Sequence, residues 1–207
     1  AKSLLRKYKK IDSWFLSAYG INLYRGCSHN CVYCDGRTEK YRVEGEFGKE
    51  IAVKTNALDL LEKELNPSRK RKPMKKGFMT ICGGVSDAYQ KVEKEYELSR
   101  KTLKLLLKYN YPVHILTKST LIERDIDLLQ EINKNSKAIV SFSFSSTNKE
   151  ISRIFEPGVP SPEKRLETIS KMKENGIDCG MYLLPVIPFI SDTKDILSQS
   201  VKDAKEA

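Results

Sequence analysis

The stretch Tyr24-Arg-Gly-Cys-Ser-His-Asn-Cys-Val-Tyr-Cys34 packs three cysteines, Cys27, Cys31 and Cys34, into eight residues with gaps of three and two. Thiolates so spaced on a tight loop can converge on one soft centre, and iron–sulfur clusters and zinc are the centres that thiolates hold best. Three ligands are one short for either. A four-iron cubane held by three cysteines keeps one iron open, and an open iron can bind and activate a substrate or cofactor. A structural zinc would need a fourth ligand, for which His29 is the nearby choice, although its place between Cys27 and Cys31 makes joint ligation awkward. Otherwise His29 reads as a loop residue. Disulfides fit poorly, since the chain has five cysteines, an odd number, with three crowded together.

Working outward from this loop, short apolar strands alternate with longer amphipathic helices, the pattern of a parallel α/β sheet. The expected strands are Gly20 to Tyr24, Gly77-Phe-Met-Thr-Ile-Cys82, Pro112 to Thr117, Ala138 to Phe144 and Asp178 to Leu184. The expected helices are Thr55 to Leu65, Glu93 to Tyr109, Ile122 to Ile132, Lys149 to Phe155, Glu163 to Asn175 with Gly176 as its cap, and Asp192 to Ala204 with Asp192 as its N-cap. Five strand–helix units wound in one direction predict a partial (β/α) barrel, because right-handed crossovers carry each strand to its neighbour. Residues 1–19 read as a basic N-terminal extension and residues 20–207 as the barrel core.

With 207 residues, 40% hydrophobic and 31% charged, the chain has the composition of one domain with a real core. No apolar run approaches bilayer length, so no membrane partner is expected. The start, Ala1 to Lys10, is basic but lacks the apolar stretch of a secretory signal, and reduced thiols agree with a cytoplasmic location. The net charge of +10 favours a polyanionic partner such as nucleic acid, a sign shared by many basic proteins that bind none. The densest basic run, Arg69-Lys-Arg-Lys-Pro-Met-Lys-Lys76, joins a helix to a strand. That puts it on the end of a barrel opposite the chemistry, where it reads as a solvated connection.

In such barrels chemistry gathers where strands end. The three cysteines follow the first strand, Gly83-Gly84-Val85-Ser86-Asp87 the second, and Lys118-Ser119 the third; Ser143 and Ser145 end the fourth, and Pro185 to Pro188 follow the fifth. Gly83 and Gly84 let backbone approach a ligand closely, or simply permit a turn. Glu156 and Arg165 could pair and brace the loop after the fourth strand, while Glu156-Pro157 reads equally well as a helix stop with a solvated charge. Tyr89 lies near the mouth, with aromatic packing the simpler reading. His114 reads as a hydrogen-bonded core histidine and Cys179 as core packing.

The spacing Cys-x3-Cys-x2-Cys, with the aromatic Tyr33 before the last cysteine, resembles the signature of the radical S-adenosylmethionine enzymes. Further runs, Ser86-Asp87-Ala-Tyr-Gln90, Leu98-Ser-Arg100, Thr117-Lys118-Ser119, Arg124-Asp-Ile-Asp-Leu-Leu129, Phe155-Glu-Pro157, Arg165-Leu166 and Pro185-Val-Ile-Pro188, are similar to the group related to spore photoproduct lyase, often labelled DNA repair photolyase-like. The resemblance implies a [4Fe-4S] cluster on Cys27, Cys31 and Cys34 and S-adenosylmethionine chelated at its open iron. It also implies reductive cleavage to a 5′-deoxyadenosyl radical, with an electron donor such as flavodoxin or ferredoxin. By motif, Ser86, Asp87, Lys118 and Ser143 would contact the methionine part of the cofactor, and Tyr33 would shape the adenine site. Cores of this superfamily are usually partial barrels of six units, so the chain would stop before a sixth strand.

One position departs from the lyases. Where they carry a hydrogen-donating cysteine, two residues before the Ser-Asp pair, this chain has Gly84. Cys82 lies two residues earlier, on Gly84's face but a layer deeper, and is the remaining choice for a catalytic hydrogen donor; a buried small hydrophobe is its alternative reading.

Overall fold

The structure is a computed structural model that describes residues 1–11, 13–41, 43, 45–68, 74–81 and 84–207. In chain order, strands β1 (Leu5–Lys7) and β2 (Ser17–Ile21) precede a ribbon of β3 (Tyr24–Arg25) and β4 (Ala52–Val53), helix α1 (Ala57–Leu65) and strand β5 (Phe78–Ile81). Helices α2 (Glu93–Tyr96) and α3 (Leu98–Lys108) lead to β6 (Val113–Thr117), and α4 (Ile126–Asn135) leads to β7 (Ala138–Phe144). Helices α5 (Lys149–Phe155) and α6 (Pro162–Glu174) precede β8 (Asp178–Leu183), and α7 (Lys194–Glu206) is the last element.

The main sheet runs β1-β2-β5-β6-β7-β8, with β1 antiparallel on the edge and every other neighbour parallel. This is the expected α/β architecture of five parallel strands, each followed by helix. The two-residue period of the strands sorts its faces. Met79 and Ile81, Val113 and Ile115, and Val140, Phe142 and Phe144 are buried against Leu61, Leu103, Leu106, Leu129 and Met172 of the helices.

The opposite, inner face is polar. Ser17 hydrogen-bonds Thr80 across β2 and β5, and the Ser141 hydroxyl donates to His114 Nε2 at 2.8 Å. Phe15 lies over this face: its carbonyl accepts from His114 Nδ1 at 2.8 Å, and its ring packs on Tyr182, with centroids 5.2 Å apart. His114 is therefore the satisfied core histidine expected, its pKa lowered by burial.

Several boundaries differ from expectation for local reasons. The first strand divides: Ser17–Ile21 enters the sheet, while Tyr24–Arg25 pairs separately with Ala52–Val53. Leu5–Lys7, within the basic extension, pairs along β2. The helix expected over Glu93 to Tyr109 breaks at Glu97, which is left-handed with φ 52°. The cause is Glu93, whose buried carboxylate accepts from Ser99 N at 3.0 Å and so caps α3 from outside it. The closing helix is capped by Thr193 rather than Asp192, its hydroxyl accepting from Ile196 N at 3.5 Å. Gly176 does end α6, with φ 73°, Gly176 N donating to Lys173 O at 2.9 Å and Ile177 N to Met172 O at 3.0 Å.

Of the basic run, Arg69 to Pro73 lie outside the described residues. Lys76 caps the other end of α3, donating to Tyr109 O and, at 3.0 Å, to Asn110 O.

Candidate active site

The cysteine loop is an excursion between β3 and β4 at the C-terminal end of β2. Its path is a succession of turns, with Asn30 N donating to Cys27 O, Cys34 N to Cys31 O and Arg37 N to Cys34 O at 3.1–3.2 Å. Gly26 opens it at φ 81°, where an added Cβ would stand 2.6 Å from Glu50 O. Arg37 clamps it, with Nε on Cys31 O at 3.1 Å and Nη2 on Asn30 Oδ1 at 2.7 Å. The fully buried Gln90 amide spans it, accepting from Ser28 N at 2.8 Å and donating to Gly26 O at 3.1 Å. Val32 N donates to Phe155 O at 2.9 Å, tying the loop to the end of α5.

This loop walls a cavity of about 440 Å³. Cys27, Cys31, Cys34 and Tyr33 line one side, and Gly84, Ser86, Asp87, Lys118 and Ser143 line the strand ends. The structure thus brings together every expected site residue that it describes. Cys82 and Gly83 lie outside the described residues. The three thiols are free; burial pushes Cys27 up to about 12 and Cys31 up to about 11, so that a metal would displace protons on binding.

Asp87 is held on all sides. Its Oδ1 accepts from Tyr89 N and Thr117 Oγ1 at 2.8 Å each, and Oδ2 accepts from Lys118 N at 2.7 Å. Burial pushes its pKa up, but the His29 contact and these donors more than reverse that, leaving it below the ordinary range. Ser86 donates to Tyr24 O at 3.2 Å, anchoring the loop after β5 to the start of the cysteine loop. Lys118 Nζ donates to Ser143 Oγ at 2.6 Å, and Ser143 Oγ donates to Leu184 O at 2.8 Å.

Two features were not evident in the sequence. His29 is buried rather than a free loop residue, with Nδ1 3.1 Å from Gly158 O and Nε2 3.1 Å from Asp87 Oδ2. Nε2 meets Asp87 as a close charge contact without hydrogen-bond geometry, so the ring packs against the carboxylate at the cavity wall. Glu156 also reaches the cavity wall. It forms the expected pair with Arg165, at 2.7 Å, but also takes the Tyr33 hydroxyl and stands 3.4 Å from Lys118 Nζ.

Tyr89, by contrast, is buried away from the mouth. Its hydroxyl donates to Asp125 Oδ2 at 3.0 Å, within a network in which Arg100 and Arg124 also meet Asp125 at 2.9 Å. Among the motif residues, Arg100, Arg124 and Asp125 therefore belong to this network rather than to the cavity lining. Cys179 packs against the core, away from the cavity.

The chain belongs to the Radical SAM superfamily, whose sequence pattern matches residues 21–198. It is an α/β enzyme of the partial-barrel type. Its fold is similar to that of a spore photoproduct lyase variant, with a TM-score of 0.67 at 20% identity over 98% of this chain and 57% of that one. A spore photoproduct lyase complexed with dinucleoside spore photoproduct gives a TM-score of 0.65 at 19% identity, over 97% of this chain and 54% of that one.

Among relatives by sequence, an uncharacterized protein of Mycobacterium tuberculosis is 35% identical over 87% of this chain and 53% of its own length. One from Methanocaldococcus jannaschii is 35% identical over 88% of this chain and 65% of its own, and one from Acidianus two-tailed virus is 27% identical over 93% and 63%. The chain thus spans between 53% and 65% of the length of these relatives. No helix among the described residues is long and apolar enough to cross a membrane.

Members of this superfamily generally use a [4Fe-4S] cluster with S-adenosylmethionine and need a reductant. The donor set here fits that pair: three unpaired thiols on one wall, and a cationic and a carboxylate side chain with hydroxyls facing them across one cavity.

Proposed function

We propose that this enzyme reductively cleaves S-adenosylmethionine and uses the resulting radical to take hydrogen from a substrate. When bound, the cluster and S-adenosylmethionine together supply the one-electron cleavage that generates a 5′-deoxyadenosyl radical. The observation that carries the reading is the meeting of Cys27, Cys31 and Cys34 with Ser86, Asp87, Lys118 and Ser143 around one cavity.

In this reading the three cysteines hold the cluster, and Lys118, a compact cation, takes the cofactor's carboxylate. Asp87, its oxygens fixed by neighbouring donors, presents a stationary negative charge to the cofactor's ammonium. Ser143 orients Lys118, and Tyr33 walls the adenosyl side. Gly84, at φ 70° with nothing within 4 Å of an added Cβ, leaves room for the ligand at the strand end. Residues 20–207 make up the catalytic core, and the basic residues 1–19 join it by adding β1 and the first part of β2 to its sheet. A flavodoxin or ferredoxin is the expected electron donor.

A second reading, repair of a pyrimidine lesion in DNA, draws on the net charge of +10 and on the likeness to spore photoproduct lyase. Gly84 in place of the hydrogen-donating cysteine argues against it, unless Cys82 serves instead.

The test is anaerobic reconstitution with iron and sulfide. A broad visible absorption that bleaches with dithionite, and conversion of S-adenosylmethionine to 5′-deoxyadenosine and methionine, are expected. Cys31→Ala abolishes both and Cys179→Ala neither; equal loss in the two variants overturns the reading. Deuterium carried into 5′-deoxyadenosine from a labelled oligonucleotide containing spore photoproduct would favour repair.

A further inference from the structure

We propose that the buried Glu156–Arg165 pair is a positioning device that keeps the charge of Lys118 available to a ligand carboxylate in the cavity. The inference rests on the assignment of Lys118 to the cofactor's carboxylate and adds two residues that do not touch the ligand.

Lys118 Nζ has a buried anion beside it, since Glu156 Oε1 lies 3.4 Å away. Left alone, that carboxylate would take the lysine as its partner and compete with any ligand carboxylate. Glu156 is instead supplied from other directions. Its Oε1 accepts from the Tyr33 hydroxyl and from Ser145 N at 3.2 Å; its Oε2 accepts from Ser152 Oγ at 3.1 Å and Arg165 Nη2 at 2.7 Å.

Arg165 and Glu156 have side chains with no exposed surface, and two buried charges of opposite sign at this distance cancel in the field they send outward. The trio carries one net positive charge, and Lys118, within ion-pair distance of Glu156, shares that carboxylate with Arg165 rather than taking it alone. Lys118 is also the member that lines the cavity, and 13% of its side chain is exposed. The Arg165 guanidinium further donates through Nη1 to Ser143 O at 2.7 Å, so it fixes the same residue whose hydroxyl holds Lys118 Nζ.

Removing either half of the pair should therefore move carboxylate binding in opposite directions. The experiment uses holoprotein reconstituted with iron and sulfide. Calorimetry compares S-adenosylhomocysteine, which carries the amino-acid end, with 5′-methylthioadenosine, which lacks it. Glu156→Gln should tighten S-adenosylhomocysteine about threefold, and Arg165→Gln should weaken it about tenfold, with 5′-methylthioadenosine changed less than about twofold in both.

A purely structural role predicts weakening in both variants, or parallel shifts of the two ligands, and either result overturns the proposal. If a buried-charge variant fails to fold, Arg165→Lys keeps a positive charge beside Glu156 while removing the guanidinium fork. It should hold S-adenosylhomocysteine affinity within about threefold of wild type without moving 5′-methylthioadenosine, and a roughly tenfold loss despite the retained charge overturns the proposal. A wild-type holoprotein that binds both ligands alike would instead defeat the assignment of Lys118, and this inference with it.

Discussion

His29 Nε2 lies 3.1 Å from Asp87 Oδ2 with both side chains buried, so one contact ties the cysteine loop after β2 to the loop after β5. On the other side of the ring, Nδ1 meets Gly158 O at 3.1 Å, and Gly158 N donates to His29 O at 3.0 Å. The residue thus holds the cysteine loop against segments that follow two different strands of the barrel.

Replacing it should loosen that loop. His29→Ala removes both ring contacts and leaves Asp87 with one fewer neighbour, a loss of about 1–3 kcal/mol for buried polar groups. Chemical denaturation should show this drop, and iron and sulfide bound per chain after reconstitution should fall. Full stability and full iron content in the variant would count against the tether.

Gly158→Ala tests the same junction from the far side. An added Cβ would stand 2.4 Å from Ser28 O and 2.7 Å from His29 O, both backbone atoms of the cysteine loop that cannot swing aside. The loop or the segment after α5 must shift, and a lower midpoint of unfolding with reduced iron retention is expected. Gly180→Ala, where a Cβ would meet only Ser141 Oγ at 3.9 Å, is the matched control and should retain iron.

Much of this arrangement is legible in the sequence, and the exceptions share a cause. Ala138–Phe144 and Lys149–Phe155 match their expected bounds because apolar alternation and an Asn148 cap are local signals. The cavity residues were legible because chemistry at strand ends follows from chain order alone. The break at Glu97 was not, since its cause is Glu93 reaching over to Ser99 and to Arg124, and each of these residues is compatible with continuous helix. Asp192 and Thr193 are adjacent and equally able to cap, so sequence could not choose between them. Strands as short as Leu5–Lys7 and Tyr24–Arg25 carry too few residues for a period to register. The sequence offers Glu156 and Arg165 as one of two readings, a pair or a helix stop with a solvated charge, whereas the contacts of Glu156 with Tyr33 and Lys118 depend on tertiary closure.

Acid should weaken the fold through Glu156. Burial pushes its carboxyl up, but Lys118, Arg165 and the donated hydrogen bonds bring it down to about 2 from the ordinary 4.5. The folded state therefore favours the ionised form. The resulting stabilisation, on the order of 3 kcal/mol, is fully present above the unfolded value and is lost as pH falls through the interval down to the folded one. Other carboxylates titrate there too, so the measurement is the difference in unfolding free energy between wild type and Glu156→Gln. It should shrink steadily from pH 5 toward pH 2; a constant difference would exclude ionised Glu156 as the source.

Gly84 separates the demands of the backbone from those of the ligand. It has φ 70°, and an added Cβ would meet nothing within 4 Å; Gly176, at φ 73°, is equally open. An L-residue at either position carries the strain of the left-handed region, about 1–2 kcal/mol, with no clash to add. Gly84→Ala and Gly176→Ala should therefore cost similar stability in thermal unfolding. Only Gly84 borders the cavity, while Gly176 ends α6. If the open space over Gly84 is where the cofactor lies, its new methyl group must collide with the ligand. S-adenosylhomocysteine binding should then weaken at least about tenfold in Gly84→Ala, and less than about twofold in Gly176→Ala. Equal affinities in the two variants would move the cofactor away from the loop after β5.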